Sequence, residues 1–396
     1  MNKCLCLFVP FIFTIASPWI ATGKNTSEDW MKLHRKAIVF DAHCDTAMRL
    51  VGDKRIDLGQ RLPDGHIDLP RMREGGLDAQ IFAVWLPPAM PESLMTERAH
   101  AMIDALRKQA REHSGLMEIA LRGADVRRIV KRGKLAAIIG IEGGHLIGED
   151  IGALRDYYAR GVRCMTLTWM NTNKWADSSD DTPMWGGLTD FGRSVVREMD
   201  RFGMIIDCSH VSEKTFFDVL ETTKSPVLVS HSCIRALTDI PRNVSDDVLH
   251  GVRKNGGVVC INFFPGFLDK AYNDGVTVLW AEYRSRANEL VPRYGGDTEK
   301  AWHALVPEFE KRMTEIAPVP LSRLIDHIDH AVKVAGIDHV GLGSDFDGIS
   351  TCPVGLDDVS KLPLITEELV KRDYSDKDVR KILGGNLLRL VEKTMR

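Results

Sequence analysis

Long apolar runs and amphipathic segments alternate along this chain. Eight runs are almost continuously apolar, which is typical of parallel strands that are buried on both faces. The predicted strands lie at residues 37–41, 79–85, 135–141, 162–168, 204–207, 226–230, 257–262 and 339–343. Most intervals carry apolar residues three and four positions apart, and this spacing predicts helices, most clearly at residues 97–112, 189–202 and 321–335. The alternation predicts an α/β fold, a single TIM-like (β/α)8 barrel.

One segment interrupts the repeating pattern of the barrel. Residues 269–320 are charged and rich in helix formers, and they contain no strand signal between the seventh and eighth predicted strands. We therefore expect a helical insertion at this place. No other segment has the composition of a repeat or an interdomain linker, so we predict one barrel domain over residues 24–396.

The first 23 residues have the composition of a secretory signal peptide. Lys3 precedes an apolar run over residues 4–15, and Ala21 and Gly23 supply small side chains at a spacing typical of a cleavage site. We expect residues 1–23 to be removed and the mature protein to be secreted or periplasmic. The run is short and interrupted by proline, so an uncleaved N-terminal anchor is the less favoured alternative. No stable membrane span is expected after cleavage.

Charge and length limit the kinds of partner that this chain can bind. The formal net charge is -3 over 396 residues, and the sequence has no run of lysine and arginine. We therefore expect no binding to nucleic acid. A small-molecule substrate is the default expectation for a domain of this size and charge.

Removal of the signal peptide would leave six cysteines. An even number in an oxidising compartment makes disulfides a possibility to consider. Four cysteines lie within or at the ends of predicted strands, where cysteine usually acts as a small buried apolar residue: Cys44, Cys164, Cys208 and Cys260. Cys233 and Cys352 are better candidates for pairing, which the sequence does not decide.

Seven of the apolar runs end on a residue that can bind a metal, build a polar site or move a proton. In a (β/α)8 barrel the C-terminal ends of the strands meet at one mouth, where the active site lies. These strand-end residues are Asp45 together with His43, then Glu142, Trp169, His210, His231, Asn262 and Asp345. The pattern predicts that they lie close together in space.

Five of these residues have the chemistry of metal ligands. His43 and Asp45 are two positions apart at a strand end, so both side chains can reach one ion. Glu142 precedes two glycines, and its two carboxylate oxygens can bridge two cations. His210 and His231 each follow a serine at the end of a strand. Five nitrogen and oxygen ligands are too many for one tetrahedral zinc and suit two zinc ions about 3.5 to 4 Å apart.

Two further positions suggest catalysis and substrate binding. Asp345 follows the eighth predicted strand, where a carboxylate can accept a proton and return it to a leaving amine. Asp347 is two residues further on, and the spacing does not decide between the two. Arg242, which is followed by Asn243, can hold a substrate carboxylate with its planar guanidinium.

Each candidate residue also has a structural explanation. A single histidine after a strand is more often a hydrogen-bonded structural residue, and we expect this of His145, His327 and His330. For Arg242 the alternative is a surface salt bridge. The joint occurrence of five ligand-type residues at four strand ends nevertheless favours a metal site.

Several sequence blocks resemble, in the same order, those of the renal-type (membrane) dipeptidases, which are zinc hydrolases with an amidohydrolase-like barrel. The resemblance runs from about residue 38 to residue 391. The most specific blocks are residues 41–46, 141–145, 230–232, 242–244 and 339–348. The resemblance implies hydrolysis of dipeptides, tolerance of a D-residue at the C-terminal side, and homodimerisation.

The same resemblance implies roles for individual residues. It implies the following ligands for two zinc ions: His43 and Asp45 for the first, His210 and His231 for the second, and Glu142 as the bridge. It further implies that Asp345 is the acid/base and that Arg242 binds the terminal carboxylate of the substrate. Asn243, in the block of Arg242, and Trp169 are further candidates for substrate contact.

Trp169 departs from the family pattern. The vertebrate enzymes have a histidine at this place after a Leu-Thr pair, whereas Leu167-Thr168 is followed here by Trp169. An indole has one N–H donor and no second protonation state, so it cannot act as an imidazolium. Asn171, Asn173 or Trp175 are alternative donors.

This departure keeps two alternative functions open. The first is a dinuclear hydrolase of another amide or ester, such as an N-acyl-D-amino acid, a lactam or a lactone. The second is a barrel that retains its metals but acts only as a binding protein. A zinc dipeptidase is the leading hypothesis, because all five ligand positions and Asp345 are present together.

Overall fold

The computed structural model of the protein describes residues 27–52 and 56–396. The predicted signal peptide at residues 1–23 lies outside the described residues. Within the described ranges, no helix has the length and apolar character needed to cross a membrane.

Eight parallel strands form a closed barrel, as predicted. The barrel strands are β1 (Val39–Cys44), β2 (Leu77–Val84), β4 (Leu135–Glu142), β5 (Val162–Thr166), β6 (Ile205–Asp207), β7 (Leu228–Ser232), β8 (Val258–Ile261) and β9 (Val340–Leu342). Each strand pairs with its neighbours in the order β2-β1-β9-β8-β7-β6-β5-β4, and pairing of β2 with β4 closes the ring. Every predicted strand therefore exists, with ends that differ by a few residues.

A short additional strand, β3 (Met117–Ile119), was not predicted. It pairs in parallel with residues 135–137 of β4, whereas β5 pairs with residues 139–142 of the same strand. Three residues are too few to show a strand pattern in the sequence. The strand extends the sheet at the N-terminal end of β4 and does not change the barrel.

Helices occupy most of the intervals between the barrel strands. Local capping explains where several begin, since Thr189, Ser212 and Ser245 each accept a hydrogen bond from a backbone N–H of the first helical turn. The helices are α1 (Ser27–Lys36), α2 (Thr46–Arg49), α3 (Leu69–Glu74), α4 (Glu92–Glu112), α5 (Gly123–Val130), α6 (Ile151–Ala159), α7 (Asp190–Phe202), α8 (Glu213–Thr222), α9 (Asp246–Asn255), α10 (Pro265–Leu268), α11 (Lys270–Leu290), α12 (Thr298–His303), α13 (Val306–Met313), α14 (Leu321–Ala335), α15 (Pro363–Lys371), α16 (Asp376–Arg380) and α17 (Asn386–Thr394).

The predicted insertion between the last two barrel strands is helical. Residues 269–320 contain α11, α12 and α13, and the described chain forms no strand there. The helices hold together through aromatic contacts, because Trp280 stacks on Trp302 with ring centroids 4.8 Å apart and both rings contact Phe309. The insertion is therefore a packed helical unit.

The core consists of two layers on either side of the barrel wall. One cluster contains inward-facing apolar residues of seven barrel strands, such as Ile81 and Ile138, together with Leu387 and Val391 of α17. The larger cluster joins the other face of the strands to the surrounding helices. Burial on both faces explains why the strands were visible as continuous apolar runs.

The six described cysteines are all free thiols. Five are buried, including Cys233, whose Sγ donates a hydrogen bond to the backbone oxygen of Asn262 at 3.2 Å. Cys352 is partly exposed. Cys233 and Cys352, which the sequence left as candidates for pairing, therefore form no disulfide with any described cysteine.

This arrangement predicts the reactivity of the thiols towards DTNB. In a folded chain that starts at residue 24, we expect Cys352 to react first, because it is partly exposed whereas burial shields the other thiols from the reagent. After unfolding without reductant, all six described thiols should react. A count that is lower by two and recovers with reductant would reveal a disulfide and contradict the structure.

Candidate metal centre

The five predicted ligands meet at the C-terminal mouth of the barrel. His43 lies on β1, Asp45 follows it, Glu142 ends β4, and His231 lies on β7. His210 lies three positions after the end of β6. None of the five is more than 7% exposed. Residues that are far apart in the sequence thus form one buried cluster, as the strand-end pattern predicts.

Glu142 lies between two groups of ligands. Its Oε1 is 3.0 Å from Nε2 of His210 and 3.4 Å from Nε2 of His231. Its Oε2 is 3.6 Å from Nε2 of His43, and that nitrogen is 3.4 Å from Oδ2 of Asp45. Each oxygen of Glu142 therefore faces a different ligand group, which is the arrangement of a bridging carboxylate.

The nitrogen and oxygen atoms of the cluster are better arranged to bind cations than to form hydrogen bonds with each other. Among the described residues, Nε2 of His43 and Oδ1 of Asp45 are buried without a hydrogen-bond partner. The Nε2 atoms of His210 and His231 approach to 2.9 Å. Buried polar atoms that converge in this way are costly unless a partner satisfies them. Imidazole and carboxylate donors are those that zinc binds in proteins.

The pKa shifts in the cluster have clear physical causes. Burial raises the pKa of Glu142, but the positive charge of His43 and a hydrogen bond from His210 hold it well below its usual value. Burial raises the pKa of Asp45, and the charge of Glu142 raises it further. Burial lowers the pKa values of His210 and His231, which favours neutral imidazoles that can bind a metal.

Asp345 lies beside this cluster. Its Oδ2 accepts a hydrogen bond of 2.9 Å from Nδ2 of Asn262, the strand-end residue that follows β8. Its Oδ1 is 4.0 Å from Nε2 of His43. Burial raises the pKa of Asp345, and the charge of Glu142 adds to this effect although His43 opposes it. Asp345 is therefore a carboxyl group poised next to the ligands.

Asp347 is placed differently. Its Oδ2 accepts a hydrogen bond of 2.7 Å from Oγ1 of Thr46, and its Oδ1 accepts one of 2.7 Å from the backbone N–H of His66. The side chain of Arg49 lies 3.4 Å from Oδ1. These contacts hold a loop together, so the position beside the ligands belongs to Asp345 and the spacing ambiguity of the sequence is resolved.

Three residues at this mouth have left-handed backbone conformations. The φ angles are 67° at His210, 63° at Asp345 and 65° at Asp347. Such angles cost about 1 to 3 kcal/mol each for residues other than glycine, and they persist where the surrounding structure enforces them. Their concentration at one end of the barrel points to a functional requirement for these side-chain directions.

The two predicted substrate-binding residues after β7 have different surroundings. Arg242 is buried, and its guanidinium donates hydrogen bonds of 2.6 Å to Oγ of Ser232 and 2.7 Å to the backbone oxygen of His231. Its Nε has no hydrogen-bond partner among the described residues. Asn243 donates through Nδ2 to the backbone oxygens of Thr238 and Phe267. Arg242 thus faces the ligand cluster and is no surface ion pair, whereas the amide of Asn243 holds the loop.

Trp169 follows β5 at the edge of the cluster. Its ring centroid is 6.5 Å from that of His210 and 4.8 Å from that of Trp85. The alternative donors Asn173 and Trp175 are both occupied, since Nδ2 of Asn173 donates to the backbone oxygen of Leu167 and Nε1 of Trp175 donates to that of Gly148. A pair of indoles therefore forms an aromatic wall beside the second group of histidines.

The three histidines that we expected to be structural have structural contacts. Rings of His145 and His327 lie 2.9 Å from the backbone oxygens of Leu86 and Leu268, and the ring of His330 lies 2.7 Å from Oδ1 of Asp246.

Two buried carboxylates behind the ligands were not identified from the sequence. Asp41 accepts hydrogen bonds of 2.7 Å from the backbone N–H and 2.5 Å from Oγ of Ser344. Burial raises the pKa of Asp41 to about 6, although these hydrogen bonds oppose the shift. This contact fixes the strand of His43 beside the loop of Asp345. Asp207 has a similar position behind His231. The sign in the sequence that could have identified Asp41 and Asp207 is the same, an aspartate inside an apolar run.

Comparison with known proteins identifies the family of this chain. A sequence profile of the family described as Membrane dipeptidase (Peptidase family M19) matches residues 28–396. The chain is 33% identical over 338 residues to Dipeptidase tcpJ of Claviceps purpurea (strain 20.1), which covers 83% of this chain and 69% of that relative.

Two solved structures extend the comparison. The probable dipeptidase PvdM from Pseudomonas aeruginosa has a TM-score of 0.80 and 28% identity, covering 93% of this chain and 98% of that chain. A metallo peptidase from Rhodobacter sphaeroides, liganded with a phosphinate mimic of the dipeptide L-Ala-D-Ala, has a TM-score of 0.74 and 27% identity, covering 90% and 99%.

The closed barrel and its cluster of imidazoles and carboxylates define the class of the protein as a barrel hydrolase of the metal-dependent kind. The chain belongs to the membrane dipeptidase family, as the family match over nearly its whole length shows. It is accordingly an enzyme, a hydrolase of the metallopeptidase type.

Gly348 provides a test of the geometry of the site. A Cβ at this position would overlap Oδ2 of Asp45 and Oδ1 of Asp345. We expect Gly348→Ala to displace both carboxylates and to lower the affinity for zinc by about tenfold or more, as other disturbances of ligand orientation do. The measurement is competition with a chromophoric chelator. Gly115→Ala is the control, because a Cβ there meets nothing within 4 Å. Unchanged affinity in Gly348→Ala would contradict the described geometry.

Proposed function

We propose that this protein is a dinuclear zinc dipeptidase that hydrolyses the peptide bond of dipeptides. The position of Glu142 carries this proposal, because its two oxygens face two separate groups of nitrogen and oxygen ligands. His43 and Asp45 would hold one ion, His210 and His231 the other, and Glu142 both. Two buried carboxylates, Asp45 and Glu142, with the partly buried Asp345 beside them, also favour two divalent cations over one.

Zinc at this place supplies two kinds of chemistry, a lower pKa for a bound water and polarisation of the substrate carbonyl. Asp345 accepts the proton of the attacking water and returns it to the leaving amine. Its geometry supports this role, because Asn262 holds Oδ2 and leaves Oδ1 directed towards His43.

Arg242 binds the terminal carboxylate of the dipeptide. Its guanidinium is fixed by Ser232 and by the backbone of His231, so its distance from the ligand cluster is set by the fold. A carboxylate would pair with a buried cation that has no acidic hydrogen-bond partner among the described residues. This fixed distance then limits the length of the substrate on the C-terminal side of the scissile bond. Contact of Asn243 with substrate stays a prediction.

Tolerance of a D-residue at the C-terminal side is part of the proposal. The relative from Rhodobacter sphaeroides, which was solved with a mimic of L-Ala-D-Ala, supports it by similarity of fold and sequence. The cleavage of residues 1–23, export of the mature chain over residues 24–396, and homodimerisation stay predictions from the sequence.

Trp169 supports a second candidate function. The wall of Trp85 and Trp169 offers an apolar surface beside His210, where an acyl group could pack. A dinuclear hydrolase of N-acyl-D-amino acids, lactams or lactones would use the same ligands. Membership in a family of hydrolases argues against the other alternative, a binding protein without activity.

Replacement of Asp345 tests the proton-transfer step. We expect Asp345→Asn to lower kcat for L-Ala-D-Ala by about 10² to 10⁴, because an amide cannot accept the proton of water. Bound zinc should be retained. Asp347→Asn is the matched control, since Asp347 contacts Thr46, Arg49 and His66, which are not among the proposed ligands, and it should keep most of the activity. Full activity in Asp345→Asn would refute the role of this residue.

A substrate panel with two variants tests the contribution of Trp169. We expect wild type to cleave dipeptides with a higher kcat/KM than N-acyl-D-amino acids. Trp169→His should raise kcat/KM for dipeptides by about tenfold or more, since an added donor to the developing oxyanion has an effect of this order. Trp169→Phe keeps an aromatic ring in the wall but removes the indole N–H. It therefore separates the effect of the N–H donor from the effect of the size of the side chain. A clear preference of wild type for N-acyl-D-amino acids would favour the second function.

A further inference from the structure

A chain of hydrogen bonds lies behind His210 and His231. Asp207 ends β6 and is 1% exposed. Its Oδ1 accepts hydrogen bonds from the backbone N–H groups of Ser209 at 3.0 Å and Ser230 at 2.9 Å. Its Oδ2 accepts from Oγ1 of Thr166 at 2.5 Å and from Oγ of Ser230 at 2.6 Å. Four donors therefore fix both oxygens of this carboxylate.

The hydroxyl of Ser230 links this carboxylate to His231. Its Oγ is 2.7 Å from Nδ1 of His231 and 2.6 Å from Oδ2 of Asp207. A hydroxyl has one hydrogen, and a carboxylate can only accept, so the hydrogen of Ser230 points to Asp207. The lone pairs of Oγ then face Nδ1, which must carry a hydrogen to make this contact favourable.

The hydrogen on Nδ1 determines the state of the other ring nitrogen. A neutral imidazole carries one N–H, so Nε2 of His231 is left with a lone pair directed towards Glu142. The backbone N–H of His231 also donates to Oγ of Ser209 at 2.9 Å, which fixes the residue itself. His210 differs, because its Nδ1 has no partner among the described residues. The protein thus selects the tautomer of one histidine of the pair.

We infer that Asp207, acting through Ser230, is a positioning residue that holds His231 in the Nδ1–H tautomer and so prepares Nε2 to bind a metal ion. This inference rests on the proposed metal site but assigns a new role to residues outside the ligand set. Carboxylates that orient a metal-binding histidine in this way commonly change metal affinity by about 10- to 100-fold.

Asp207→Asn reverses the direction of the hydrogen bonds that run between residue 207, Ser230 and His231, with almost no change in the shape of the side chain. We call this chain of hydrogen bonds the relay. The two backbone N–H groups on Oδ1 are obligatory donors, so they require the amide oxygen at that place. The amide NH₂ must then face Ser230 and donate to it. Two acceptors then remain for the hydrogen of Ser230, and Nδ1 of His231 at 2.7 Å is closer than Oγ of Ser209 at 3.2 Å. The hydrogen therefore turns to Nδ1, which puts the imidazole hydrogen on Nε2 and weakens metal binding.

The experiment measures the zinc affinity of the full chain by competition with a chromophoric chelator. Relative to wild type, we expect the weaker of the two dissociation constants to rise about 100-fold in Asp207→Asn and about tenfold in Ser230→Ala, the range known for outer-shell changes. The double variant combines Asp207→Asn with Ser230→Ala and so lacks the hydroxyl whose hydrogen would point to Nδ1 of His231. Its zinc affinity should therefore return to that of Ser230→Ala. A purely structural role of Asp207 predicts that the double variant is no better than Asp207→Asn.

Controls separate the relay from folding and from the proposed function. Thr166→Val removes another hydroxyl from Oδ2 of Asp207 without contact to the imidazole, and it should leave zinc affinity nearly unchanged. Unchanged affinity in both Asp207→Asn and Ser230→Ala would overturn the inference. A wild-type protein that binds no zinc would instead refute the proposed function.

The tautomer can also be observed directly, which covers the case of a variant that does not fold. The ¹⁵N spectrum of the metal-free full chain, labelled at histidine, should show Nδ1–H for His231. The Nε2–H form in wild type would overturn the inference whatever the variants show.

Discussion

The packing of three carboxylates beside three imidazoles is the constraint on which the rest of this structure depends. Asp45 and Glu142 are buried, and the side chain of Asp345 beside them is only 14% exposed. Charges in such a site are costly unless they are paired. Bound cations would relieve this cost, and Glu142 could serve two of them because its two oxygens face different histidines. The arrangement is unfavourable as a structural element and favourable as a metal site.

The barrel makes this concentration of charge possible. Its strands place the ligands by backbone pairing, so that residues from β1, β4 and β7 meet without long loops. Buried carboxylates behind the mouth then orient individual side chains. Asp41 joins Ser344 across β1 and β9, and Asp207 joins three consecutive barrel strands behind His231. The barrel strands thus hold the site residues in place, and the hydrogen bonds orient their side chains, as effective catalysis requires.

The sequence predicted the barrel and the clustering of the strand-end residues because both follow from simple periodicities. Doubly buried strands are continuous apolar runs, and their ends carry the chemistry. It could not separate Asp345 from Asp347, since the rule that places residues two apart on one side holds for extended backbone. Both residues have left-handed φ angles, and their side chains therefore diverge. The roles of Asp41 and Asp207 depend on contacts between distant strands, which no local pattern contains. The three-residue β3 was too short to show a strand pattern in the sequence.

The most direct test of this account is a crystal structure of the zinc-loaded protein with diffraction data collected on both sides of the zinc absorption edge. The account predicts two anomalous peaks about 3.5 to 4 Å apart. Each should lie against one oxygen of Glu142, one near His43 and Asp45, the other near His210 and His231. A single peak, or zinc bound away from Glu142, would contradict the dinuclear site on which the proposed function rests.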